Sequence, residues 1–347
     1  VRTSLAPLAA IAGAAALAIA GCGSNSNSNS NSSSAGASTQ GAATPAKGAM
    51  KVAILLPGSP TDQGYNADGQ RTADQVKSQL KADVTVTQNV AVPNQTDVYR
   101  QYAAKGYDLV IGWGGQFTDG AVTVAGEFPK VQFLVVNSTA KNGTNLSSMD
   151  ENIQDWEFVG GWVTAKLSKS GTIGWVGSLC IPPTAANLHG FEQGAKYANP
   201  NIKIKSTFTG DFEDPTKAQQ ATQAMIDSGA DALSGNMNNG WFGLFKAAQT
   251  KKIPTVTEWV DNSSLAKDVI ASSILKSQSK FLAGLVEQAQ KGSLGGKQFQ
   301  YTMTADTGPA VSQTALLPKS VYDGALAVQK KIVDGTITPK VDTSCPK

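Results

Sequence analysis

Several polar and aromatic side chains of this chain stand where an α/β protein keeps its chemistry, just past the ends of apolar runs. The loop from Pro57 to Asn66 (PGSPTDQGYN) joins a tight turn to a carboxylate, a ring and an amide in Asp62, Tyr65 and Asn66. Trp113 and Asn137 each follow an apolar run, Asn238 precedes Trp241 by three residues, and Glu258 is next to Trp259. A small polar ligand with a flat ring needs this mixture: faces to stack on, and fixed amides and carboxylates for its edges and hydroxyls. Singly, each residue has a structural reading, since Asn and Asp favour turns and Trp closes cores. Their recurrence in one set of loops favours binding, because sites are drawn from loops held by a rigid scaffold.

Catalysis finds less support. His189 is the only histidine, so His-based triads and multi-His metal sites are not expected, and His189 itself reads as a surface or satisfied helix residue. Neither a G-x-S-x-G elbow nor a P-loop G-x-x-x-x-G-K-[ST] occurs. Gly171, Gly174 and Gly177 have the wrong spacing for a dinucleotide fingerprint and read as turns around a strand. Asp211 and Glu213 stand two apart, but nothing in the sequence puts them in a cleft. The expectation is a protein without enzyme activity, metal or cofactor.

The elements that must position these loops follow an alternating rhythm. Val52–Leu56 is a continuous apolar run, as in a parallel strand covered on both faces. Strands are expected again at Leu109–Gly112 and Val131–Asn137, with helices through Ala73, Val76 and Leu80, through Val98 and Tyr102, and at Thr118–Glu127. A long helix at Trp156–Ser168 precedes a second set of strands at Thr172–Val176, Lys203–Phe208, Asp231–Ser234, Thr255–Glu258 and Val269–Leu275. Helices at Ala185–Ala198, Thr216–Ser228 and Trp241–Thr250 separate them, Asp214-Pro215 opening the middle one as an N-cap with proline at the first helical position. Helices at Lys280–Gln290 and Lys319–Val333 and a strand at Gln298–Thr304 complete the chain. Two such halves imply two parallel-sheet lobes, with the ligand beyond the carboxyl ends of the strands.

The N-terminus carries different information. Arg2 and the apolar run Leu5–Ala20 read as an export signal, too short for a bilayer span of about 20 apolar residues. Ile19-Ala20-Gly21-Cys22 fits a lipobox, in which the Cys22 thiol takes a diacylglyceryl group. The Ser- and Asn-rich stretch that follows has too little apolar surface to fold and reads as a flexible tether. A hydrophobic content of 41% and a charged content of 16% suit a globular body. The net charge of +3 falls to about +2 when Arg2 is subtracted, with no block of like charge, so nucleic acid is not an expected partner. With Cys22 lipidated, Cys180 and Cys345 could pair in an oxidising exterior or remain separate thiols; their spacing in sequence leaves both open.

Taken in order, several segments resemble the basic membrane protein family of ABC-transporter substrate-binding lipoproteins, whose best-known members are purine nucleoside receptors. They are KVAILLPGS from Lys51, DQGYN from Asp62, GYDLVIG from Gly106, FPKV from Phe128 and GTIG from Gly171, then GFEQG from Gly190, FEDP from Phe212, GAD from Gly229 and SSILK from Ser272. The resemblance runs from about Lys51 to the last helix. It implies a periplasmic-binding-protein type I fold, two doubly wound α/β lobes joined by a hinge and closing on ligand. It implies ligand contacts at Asp62 and Asn66, and at Lys276, the lysine after the late strand. The chain departs from the family where an aspartate is usual at Asn137, where Thr257-Glu258-Trp259 stands for Gly-Val-Asp, and where an aromatic is absent from Ala67–Gln70. Those carboxylates would grip vicinal hydroxyls, so a nucleoside and another sugar-like or aromatic solute both remain as cargo.

The expected organisation is a signal peptide at 1–21, a lipid-anchored linker at 22–49, lobe I at 50–138 with a return segment at about 277–295, lobe II at 139–276, and a C-terminal strand, helix and tail at 296–347 packed across the lobes. Asp62, Asn66 and Asn137 are expected to hydrogen-bond the ligand from one lobe, with Asn238, Glu258 and Lys276 on the other side or at the hinge. Tyr65, Trp113, Trp241 and Trp259 are the stacking candidates. The expected protein is a monomer on the extracytoplasmic face of the cell membrane, serving an ABC permease and ATPase. A ligand-sensing lipoprotein without transport is the alternative.

Overall fold

The computed structural model describes residues 48–346. The expected leader, the Cys22 acceptor and the spacer up to residue 47 lie outside the described residues. The apolar runs become parallel strands as their patterning requires. β1 (Lys51–Leu55), β3 (Leu109–Trp113) and β4 (Gln132–Val136) are almost wholly buried, flanked by α1 (Tyr65–Leu80), α2 (Gln95–Ala104) and α3 (Thr118–Glu127). With β2 (Asp83–Thr87), β5 (Leu146–Glu151) and β11 (Gln298–Tyr301) they form a six-stranded sheet in the order β11-β5-β4-β3-β1-β2. Every pairing in it is parallel.

The second sheet has the order β10-β9-β8-β6-β7, again parallel throughout. Its strands are β6 (Thr172–Gly177), β7 (Lys203–Phe208), β8 (Leu233–Asn236), β9 (Thr255–Trp259) and β10 (Ile270–Leu275). They alternate with α4 (Ile153–Leu167), α5 (Pro182–Ala198), α6 (Pro215–Asp227) and α7 (Gly240–Gln249). Asp214 caps α6 as its sequence predicts, accepting from the N–H groups of Thr216 and Lys217 with Pro215 in the first turn. α4 and α5 touch backbone to backbone: a Cβ on Gly161 would lie 1.9 Å from the Phe191 carbonyl, and one on Gly194 1.8 Å from that of Phe158.

Two strands escape the sequence reading. β2 lies half-exposed at a sheet edge and has only a short alternation, DVTVT. β5 reads LSSMDE, with no apolar run, yet Ser147 and Ser148 are fully buried in it. β5 also corrects the expected boundary at 138/139. Leu146 pairs with Phe133 of β4, so the strand belongs to the first sheet and the chain leaves that sheet only after Glu151. The chain passes between the sheets again after β10, into α8 (Ser279–Gln290), which packs on α1, and again after β11. α9 (Lys319–Val333) then packs on α4, the Gly324 backbone lying against the Trp162 ring.

Cys180 and Cys345 are joined in a disulfide, with Cα atoms 5.9 Å apart. The tail is also tied to α5 by Gln193, which donates to the Lys340 carbonyl and accepts from its N–H, and by His189 Nε2, 2.9 Å from the Ser344 carbonyl oxygen. A link across 165 residues removes much unfolded-chain entropy. Replacing both cysteines by serine should therefore lower stability by about 2–4 kcal/mol. Equal denaturant midpoints for the variant and the oxidised protein would refute this.

Candidate functional site

A cleft of about 680 Å³ opens between the carboxyl ends of the two sheets, the place the topology rule requires. One wall is Pro57, Gly58, Tyr65, Gly114 to Gln116, Asn137 and Glu151. The other includes Leu179, Ile181, Pro182, Thr184, Phe212, Glu213, Asn236, Asn238 and Trp259. The walls approach closely: a Cβ on Gly58 would lie 3.3 Å from Glu213 Oε1, and one on Gly64 3.3 Å from Trp259 Cδ1.

Of the ten side chains expected at a ligand, Tyr65, Asn137, Asn238 and Trp259 line this cleft. The Tyr65 ring sits 5.1 Å from the Trp259 ring and 5.8 Å from that of Trp113, and its hydroxyl donates to Asn137 Oδ1 at 2.7 Å. Burial, then the charges of Glu151 and Asp68, hold the Tyr65 phenol well above its usual pKa, so it remains a donor. Asn137 (φ 55°) and Trp259 (φ 80°) both adopt left-handed backbone, which is costly for a bulky ring. Strained residues of this kind cluster at ligand clamps. Asn238 donates to Glu213 Oε1 at 2.6 Å.

The other six are placed elsewhere, each for a physical reason. Asp62, expected at the ligand, points into its own loop. Oδ1 accepts from the Gly64 and Ala67 N–H groups and Oδ2 from the Asn66 N–H and side-chain amide, at 2.7–2.9 Å. A carboxylate there satisfies first-turn donors of α1 and complements the helix dipole. Asn66 is fully buried, its Oδ1 accepting from Gly58 N–H. Trp113 lies behind Tyr65 and donates to its carbonyl at 3.0 Å. Trp241 faces the core of the second lobe, stacked on Phe245.

Glu258 and Lys276 form a buried charge cluster instead of reaching the cleft. Lys276 Nζ is 2.7 Å from Glu157 Oε1 and 2.5 Å from Glu258 Oε2, and lies 4.6 Å over the Trp259 ring. Glu258 also accepts from Asn236 Nδ2 at 2.7 Å and Asn187 Nδ2 at 3.2 Å. Burial disfavours the Lys276 charge, but Glu157, Glu258 and Glu151 together outweigh it and raise its pKa. Burial drives the Glu157 carboxyl upward, Lys276 opposes this, and Glu258 adds to the rise. The cluster supports Trp259 from behind.

The sequence reading missed Glu151, Glu213 and Phe212 as lining residues. Glu151 ends a strand without a strand-like pattern, and the FEDP segment carries Phe212 and Glu213 with no signal of where they point. No group of three or more His, Cys, Asp or Glu among the described residues could hold a metal ion.

The family of ABC transporter substrate-binding proteins described as PnrA-like matches residues 49–340. The chain is similar to the transcriptional activator protein Med of Bacillus subtilis, 25% identical over 262 residues that cover 75% of this chain and 81% of that one. It is similar to a purine-binding protein of Brucella abortus, 28% identical over 197 residues, 56% of each chain. Among solved structures, an ABC transporter solute-binding protein from Conexibacter woesei superposes with a TM-score of 0.69 at 26% identity, covering 84% of this chain and 99% of that one.

Proposed function

Because this chain belongs to the PnrA-like family of ABC transporter substrate-binding proteins, we propose that its cleft binds a nucleoside or a closely similar polar ring solute. The observation that carries this is the pairing of Tyr65 and Trp259 across the cleft, with the Asn137 and Asn238 amides at its edges. Rings offer a stacking surface and amides read donors and acceptors on a heterocycle, so the arrangement suits an aromatic base better than a bare sugar. The Brucella abortus relative, a purine-binding protein, supports the same reading.

Binding works by closure. Ligand stabilises the closed form only to the extent that it binds that form better, and Tyr65 and Trp259 come from opposite lobes. The protein then acts as a monomeric receptor on the extracytoplasmic face, held by a diacylglyceryl group on Cys22 and presenting solute to an ABC permease and ATPase. No helix among the described residues is long and apolar enough to cross a membrane. The role is binding rather than catalysis. A second reading, a ligand sensor without transport, is favoured by the similarity to the activator Med. Solute uptake by vesicles carrying this protein with an ABC permease and ATPase from the same organism separates the two.

The direct test is calorimetric titration with adenosine, guanosine and inosine. Trp259→Ala should weaken the best ligand on the order of a hundredfold, about 2–3 kcal/mol, as for other buried aromatic anchors. Trp259→Phe should keep much of the affinity. An alanine variant with wild-type affinity would remove Trp259 from the site.

A further inference from the structure

A receptor for hydroxyl-bearing solutes needs an acceptor with free lone pairs, and the carboxylates expected to supply it are occupied. Asp62 holds the loop before α1, and Glu258 holds Lys276, Asn187 and Asn236. Three acidic side chains do line the cleft: Glu151, Asp211 and Glu213. Glu213 has both oxygens on the Asn238 and Asn239 amides, and Asp211 accepts from Glu213 N–H and faces Lys217 near the surface. Glu151 differs. It is 6% exposed at the end of β5, with Gln278 donating to its Oε2 and the Asn137 amide beside it. A carboxylate has about four lone-pair positions, so acceptor capacity remains facing the cleft.

The same cleft lacks what an anion would need. Among the described residues no Lys, Arg or His lines it, and Lys276 behind it is matched by Glu157 and Glu258. Helix N-termini at a cleft are ready anion sites, and three of those near it are closed. Asp62 occupies the first-turn donors of α1, and α5 opens with Pro182 and Pro183, which have no N–H. At α7, Glu213 accepts from the Asn239 N–H and side chain.

We propose that Glu151 is the specificity-determining carboxylate of the cleft, accepting paired donor groups of the ligand, and that the cleft admits only solutes without negative charge. The proposal rests on the receptor reading above and narrows it to nucleosides over nucleotides. Glu151 also sits where the three passages between the sheets meet, beside Gln278 after β10 and near Tyr301, whose hydroxyl donates to the Ser277 carbonyl. A ligand held there bridges the hinge as well as the walls.

A pH dependence follows. The charged and titratable groups facing Glu151 are Asp150 on its own strand, Lys276, Tyr65 from α1 and Tyr301 from β11, with Asp68 acting on the same two tyrosines. Burial raises the Glu151 carboxyl to about 7, against the pull of Lys276, Gln278 and Asn137 and with a push from Asp150. Ligand donors need the ionised form, so affinity should fall about tenfold from pH 8 to pH 6, with proton uptake from buffer on release. Stability of the unliganded fold has the opposite sign. The Glu151 contribution is full below the ordinary carboxylate range and is lost as pH rises through about 7.

The experiment is calorimetric titration of the full chain and of Glu151→Gln at pH 6 and 8 with guanosine, guanosine monophosphate, inosine, adenosine, ribose and glucose. Expected are nucleoside binding, a monophosphate at least a hundredfold weaker, and at least a tenfold loss in Glu151→Gln with no pH slope. Glu151→Gln should melt no lower than the parent at pH 8, which keeps a binding loss from being misread as unfolding. Unchanged affinity in Glu151→Gln, a monophosphate binding as well as its nucleoside, or a lower melting temperature for the variant overturns the proposal alone. If the parent binds only ribose or glucose, the nucleoside reading falls, and the same comparison on that sugar decides the role of Glu151. If nothing in the panel binds, both fall.

Discussion

Lys276→Met should destabilise the protein by about 3–5 kcal/mol at pH 8, because it strands two buried carboxylates. Glu157 comes from α4 and Glu258 from β9, and both are essentially buried with the ammonium between them. With the charge gone, the carboxylates face each other without compensation and must take up protons or pull apart. The loss should therefore shrink at pH 5, where protonation is easier. Adding Glu157→Gln and Glu258→Gln should restore part of it, since a buried cluster replaced as a whole is often neutral. Urea midpoints of the single and triple variants at both pH values measure this. A single variant as stable as the parent would mean the cluster is hydrated and the lysine free for ligand. Ligand affinity should fall as well, through Trp259, whose ring loses the cation 4.6 Å beneath it.

Asp62→Ala should lower both stability and affinity, and it separates two roles for one residue. The carboxylate accepts four hydrogen bonds within Gly64, Asn66 and Ala67, and is itself 2% exposed. Stranded buried donors cost about 1–3 kcal/mol each, and some will find water once the loop opens, so a net loss of about 2–4 kcal/mol is expected. The loop carries Pro57, Gly58 and Tyr65 into the cleft, so ligand affinity should drop with the stability. Asp62→Asn should lie between the two, because its amide turns one acceptor into a donor facing an N–H. Full loss of binding with an unchanged melting temperature would return Asp62 to the ligand-contact role that the family resemblance implies.

The contrast between Asp62 and Glu151 shows what a linear sequence carries. The loop DQGYN was legible as special because a carboxylate, a ring and an amide follow an apolar strand. Whether Asp62 turns outward to a ligand or inward to its own helix depends on which N–H groups come within reach, and that is settled only when α1 starts at Tyr65. Glu151 carried no signal, because LSSMDE becomes a strand only through its neighbours β4 and β11 on either side. β11 is about 150 residues away in sequence, and Lys297 N–H, just before it, donates to the buried Ser147 hydroxyl. Propensity has no access to pairing of that range.

The sequence by itself determined the alternation of strands and helices, the two-lobed parallel architecture and the loops at the strand ends, because apolar periodicity and capping residues act locally. It also carried the family resemblance. Tertiary structure alone decided the inward or outward sense of each polar side chain. Trp113 and Trp241 went to cores, Glu258 was matched to a lysine after the next strand, and Glu151 came to lie at the hinge. The physical reason is that desolvating a polar group requires a specific partner. For Glu258 and Glu151 the decisive ones, Asn187 and Gln278, come from elements distant in the chain, and Lys276 from the end of the neighbouring strand.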